Sequence, residues 1–165
     1  MRYLLFLLLA PVFANSQTIH LVRDKICYSG SLATGNADSK TLQEILKAAV
    51  LRYTGTTLQG QAENQLFARA TMRLASPYHL VRTVQYNLQL TIDKNLCRYT
   101  IDSVVLVEKE RGGPARTTTD ADLLKNMDVS GAMSMNTEAL LNEIDMRFQK
   151  LLDRLRNNIV AIPSK

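Results

Sequence analysis

Few side chains in this 165-residue chain stand in a pattern that could do chemistry. The two histidines, His20 and His79, have no HxH, HxxxH or HxxE spacing and no nearby cysteine. One falls in an extended stretch and the other just after Pro77, so the residues predict neither a metal centre nor a cofactor. Cys27 and Cys97 could serve as nucleophiles, yet both sit in strand-like runs. No serine stands in a G-x-S-x-G elbow, the turn that lifts a nucleophile to the top of a hydrolase sheet. Gly112-Gly113 lacks the Lys-Ser/Thr and the helix start of a phosphate loop. The pairs Glu108/Glu110 and Asp120/Asp122 have the residue type of glycosidase carboxylates. They lie in or beside an irregular stretch, where solvated loop charges are the expected reading. The chain therefore reads as a non-enzyme. The alternative is an envelope- or glycan-acting hydrolase whose site is built by segment 108–136.

The N-terminus carries an address rather than chemistry. Residues 1–14, MRYLLFLLLAPVFA, place Arg2 before a short apolar run and end in Val12-Phe13-Ala14. That is the pattern of a secretory signal peptide. The run is too short for a bilayer span, which needs about 20 apolar residues. The expectation is an exported protein, periplasmic or secreted, with no stable membrane anchor after cleavage. Its mature part is a single domain over 15–165, with a long irregular segment at 108–136. Export makes a Cys27–Cys97 disulfide possible, and two buried thiols are the other reading. The composition is that of a globular protein: 46% apolar, 21% charged, formal net charge +5. So mild a positive balance serves solubility first and anionic partners second.

The elements that would position any site follow from periodicity. Ile19 to Tyr28 is rich in β-branched and aromatic residues and predicts a strand. Ser29 to Asn36, with two glycines, predicts a loop. Thr41 and Glu44 have capping-box spacing. Leu42, Ile45, Leu46, Ala49, Val50 and Tyr53 then form the apolar stripe of a first helix. Thr56–Ala62 and Gln65–Leu74 predict strands joined by a turn at Glu63-Asn64. Val84–Ile92 alternates strictly, apolar against polar, as in an antiparallel sheet with one wet face. It returns through Asp93-Lys94-Asn95 as a hairpin over Leu96–Val107. A second, long helix over Thr137–Ile159 carries leucines, Ile144 and Phe148 on one side and pairs Glu143 with Arg147 on the other.

Strand, helix, four strands, helix imply an α+β domain, with a curved antiparallel sheet of about five strands and two helices on one face. Alternation places Arg69, Arg73, Gln85, Gln89 and Arg98 on the other, open face. Arginines among amides and hydroxyls can hold carboxylates or phosphates in bidentate fashion. These five are the candidate binding residues. Apart from Phe67, the face lacks the aromatic residues of a single-strand nucleic-acid platform.

The segments DKICYSG, DSKTLQEILKAAVLRY and QLFARATMRL and the hairpin VQYNLQLTIDKNLCRYTIDSV together resemble a family of exported bacterial domains of unknown function. The resemblance implies a TATA-binding-protein-like fold and brings no functional residues with it. The functional expectation is an exported, non-enzymatic binding or interaction module. Its partner would be a protein or an anionic envelope component, not nucleic acid.

Overall fold

The computed structural model describes residues 20–21, 25–34, 38–125 and 135–160. The expected signal peptide lies outside them. Seven strands form an antiparallel sheet: β1 (His20–Leu21), β2 (Ile26–Ala33), β3 (Thr57–Ala62), β4 (Gln65–Arg73), β5 (Leu80–Asp93), β6 (Leu96–Glu110) and β7 (Ala115–Thr119). Their order is β1-β2-β6-β5-β4-β3, with β7 added beside β6. The described residues also form three helices: α1 (Ser39–Thr54), α2 (Asp120–Leu124) and α3 (Met135–Val160).

The core lies between one sheet face and the pair α1 and α3. Leu42, Leu46 and Val50 of α1 and Ile144, Phe148, Leu152 and Leu155 of α3 are buried on it. They meet Ala68 and Ala70 of β4, Val84, Tyr86 and Leu88 of β5, and Tyr99 and Ile101 of β6. Phe148 packs between two tyrosines, 4.8 Å from the Tyr28 ring and 4.9 Å edge-on to the Tyr86 ring. Burial raises both tyrosine hydroxyls well above their ordinary pKa. The carboxylate of Asp145, which pairs with the Tyr28 hydroxyl, adds to the effect at Tyr28. The domain is α+β, as the periodicity implies.

Four local expectations need correction. The N-cap of α1 is Asp38, not Thr41: its carboxylate accepts the Thr41 amide at 2.9 Å. An aspartate two residues upstream of Lys40 satisfies the first turn before the threonine is reached. Gln43, outside the predicted apolar stripe, is buried and donates Nε2 to the Ala62 carbonyl at 2.7 Å. The stretch expected as one strand to Tyr28 followed by a loop is a two-residue β1 and then β2, which runs on to Ala33. Gly30 does not break β2 because it stands opposite Tyr99. A Cβ there would come within 2.6 Å of the tyrosine oxygen, so the ring occupies the space a side chain would need.

The fourth correction concerns segment 108–136. Residues 108–125 carry regular elements: β6 continues to Glu110, Gly112 turns with φ 84°, and β7 and α2 follow. β2 pairs with β6 over Leu96–Ile101 and β7 pairs with it over Val105–Lys109, so the two share one edge end to end. Thr119 caps α2 by accepting the Asp122 amide at 3.3 Å, and its hydroxyl donates to the Asp122 carboxylate at 2.8 Å. Those hydrogen bonds and Lys125 hold the Asp122 carboxyl below its usual pKa.

One irregularity bends the long β5–β6 hairpin. Gln85 pairs with Val105 and Asn87 with Asp102, so Ser103 and Val104 together face Tyr86. Ser103 takes φ 52° to make this bulge. Unbroken alternation from Cys97 would turn Ser103 and Val105 inward. The extra residue turns Val104 and Leu106 inward instead, both buried.

Candidate functional site on the open sheet face

Four of the five predicted residues, Arg69, Gln85, Gln89 and Arg98, lie on the side of the sheet opposite α1 and α3; the fifth, Arg73, ends β4 at the corner of the sheet and also lines a cleft against α3. Cross-strand register arranges that side in rows. Gln65, Thr91, Arg98 and Ser31 form one, and Phe67, Gln89, Thr100 and Ser29 the next. Arg69, Asn87 and Asp102 follow, then Thr71, Gln85 and Val105, then Arg73, Thr83 and Val107. Directly opposite side chains stand about 5 Å apart, so the rows form a largely polar surface of hydroxyl, amide, guanidinium and carboxylate groups, interrupted by Phe67, Val105 and Val107.

The arginines do not converge. Arg69 Nη2 donates to Gln85 Oε1 at 3.4 Å, a long contact in the open. Arg98 Nη2 pairs with Asp93 Oδ2 at 3.2 Å, and both groups are exposed, so the pair is worth at most about 1 kcal/mol. The rows of Arg69 and Arg98 lie four residues apart along the strands, about 13 Å. Arg73 stands at the far corner. The face can therefore engage an extended partner at several points, and it does not focus three positive charges on one small anion.

The two cysteines cannot bridge. Cys97 pairs with Leu32, five residues along β2 from Cys27, about 16 Å away. A disulfide needs Cα atoms roughly 4–7 Å apart. Both are free thiols, Cys97 buried and Cys27 half-buried. Burial pushes the Cys97 thiol up to about 11; burial and then the Asp102 carboxylate raise that of Cys27. Neither is a poised nucleophile. Among the described residues no group of three or more His, Cys, Asp or Glu side chains could hold a metal ion. His79 lies in the exposed loop before β5.

A second polar site lies on the helix side and was not among the candidates. A cleft of about 470 Å³ opens where the sheet runs beyond its core, lined by Arg82, Glu108, Arg116, Thr118 and the start of α3. Arg82, Glu108 and Arg116 are successive partners across β5, β6 and β7. Arg82 Nε donates to Glu108 Oε1 at 2.7 Å, with both half-buried. Glu143 on the cleft wall accepts the Ala75 amide at 2.7 Å and pairs with Arg147 at 3.3 Å. Alternation from Val84 puts Arg82 on the inward face, so that half was legible. The side taken by Glu108 depends on the bulge at Ser103.

No family model matches the chain, and no curated protein matches it. Solved structures do. One is a TBP-like protein from Parabacteroides distasonis, 14% identical, covering 84% of this chain and 97% of its own length at a TM-score of 0.64. The fold is TATA-binding-protein-like. Another is a DUF4468 family protein from Bacteroides ovatus, 7% identical, covering 89% of this chain and 93% of its own, at a TM-score of 0.67. The resemblance seen in the sequence to a bacterial domain of unknown function with a TBP-like fold is met by both neighbours. At these identities the TBP-like fold is what is shared, and residue roles do not carry over. Among the described residues no helix is long and apolar enough to cross a membrane.

Proposed function

We propose that this TBP-like domain is an exported, non-enzymatic binding module of the bacterial envelope, working in the periplasm or outside the cell. Its open sheet face takes a protein partner or an anionic envelope component. The observation that carries this reading is the face itself. It presents Gln85, Gln89, Thr91 and Thr100, flanked by Arg69 and Arg98, with no described helix packed over it. Such a surface supplies both donors and acceptors at about 5 Å intervals, which suits an extended polar partner.

Other features support the same reading. The leader-like residues 1–14 direct the chain away from cytosolic nucleic acid, and the net charge of +5 is modest for a DNA-binding domain.

The test is Arg69→Glu combined with Arg98→Glu, shown to be folded by its thermal transition, in a pull-down from envelope fractions. Loss of the partners that wild-type protein retains is the expected result. A folded double variant that keeps every partner would exclude the sheet face.

A further inference from the structure

Arg73, Arg147, Lys150 and Arg154 meet around a cleft of about 300 Å³ between the outer edge of β4 and the middle of α3. Arg147, Lys150 and Arg154 succeed one another at three and four residues, which puts them on one helix face. β3 stops pairing with β4 at Arg69, so the strand edge beyond it is open on that side. Thr71 and Gly55, the left-handed residue that ends α1, line the remainder.

Among the described residues no carboxylate lines this cleft. Glu143, one turn back on α3, meets Arg147 at 3.3 Å and is shared with the Ala75 amide. Against Glu143 and the roughly half a negative charge at the C-terminus of α1, the cleft gathers Arg73, Arg147 and Lys150. Like charges gathered so closely repel, and an anion held among them relieves the repulsion. Three guanidinium forks and an ammonium match the several acceptor oxygens and the double charge of a phosphate.

We propose that this cleft binds a phosphomonoester group, carried either by a soluble molecule or by a lipid headgroup. The site takes Thr71 and Arg73 from the end of β4 and its other cations from α3, and goes beyond the binding reading given above. It is tested on the folded full domain at low ionic strength, by calorimetry with glycerol phosphate and by co-sedimentation with phosphatidate or phosphatidylcholine vesicles. Wild-type protein should bind glycerol phosphate, which assigns a soluble carrier, or phosphatidate vesicles alone, which assigns a headgroup. Lys150→Glu should weaken that binding about tenfold or more. Lys40→Glu makes the same charge change at the opposite end of α1 and should stay within about twofold. Both variants are first shown to melt cooperatively. No binding of either phosphate probe by folded wild-type protein, or equal losses in the two variants, would overturn the proposal.

Discussion

The carboxylate of Asp120 accepts a hydrogen bond from the backbone amide of Ile26 at 3.3 Å, across 94 residues of chain. Its other oxygen accepts the amide of Ala121 at 2.8 Å. The contact joins the start of β2 to the end of β7, the two strands that divide one edge of β6. Without it a buried N–H would lose its partner, and that costs about 1–3 kcal/mol. Asp120→Ala should lower unfolding stability by that amount, measured in urea. Asp120→Asn, which keeps an acceptor, should lower it less. Hydrogen exchange at the Ile26 amide should speed up in the alanine variant.

Gly30 and Tyr99 form a pair in which one residue lacks what the other supplies. The ring of Tyr99 is only 2% exposed, so it has little room to retreat from a new Cβ. Gly30→Ala should therefore destabilise the domain by about 1–3 kcal/mol through overpacking. Adding Tyr99→Phe removes the nearest atom, the oxygen at 2.6 Å. Its effect combined with Gly30→Ala should be less than additive in a double-mutant cycle.

The separation of Cys27 and Cys97 predicts two free thiols in protein purified without reductant. A thiol titration in denaturant should count both, and reductant should leave the melting temperature unchanged. In the folded state Cys27 should react slowly and Cys97 only on unfolding, because burial disfavours both thiolates.

Tyr28 and Tyr86 predict the alkaline limit of stability. Both have folded-state pKa values raised above the ordinary tyrosine value. Below about pH 10 neither state ionises them, and their contribution is fully present. Above it the unfolded chain releases protons that the folded chain keeps. Stability then falls with rising pH, by up to about 1.4 kcal/mol per unit for each tyrosine. Chemical denaturation between pH 9 and 11 should show this slope. Tyr86→Phe should make it shallower.

Elements whose pattern is local were legible in the sequence. Val84–Ile92 alternates without a fault, and the stripes of α1 and α3 repeat over several turns. Elements that depend on a distant partner were not. Gly30 reads as a breaker until Tyr99 stands opposite it. β7 hides behind Gly112-Gly113-Pro114, which punctuates a turn between paired strands rather than opening a loop. The Thr119–Asp122 spacing was the available sign of α2. At the candidate site, alternation sorted Arg69, Gln85, Gln89 and Arg98 correctly by face. It could not show that Arg69 and Arg98 stand far apart. Nor could it show that α3 brings Arg147, Lys150 and Arg154 beside Arg73, which depends on helix packing at a sheet edge.

Site-specific photo-crosslinking in living cells addresses the sheet face most directly. A crosslinking amino acid replaces Gln89, in the middle of the open face, or Asp153, exposed on α3. The sheet-face account predicts a discrete adduct with an envelope partner from position 89 and none from position 153. No adduct at position 89, or the same adduct from both positions, would contradict it.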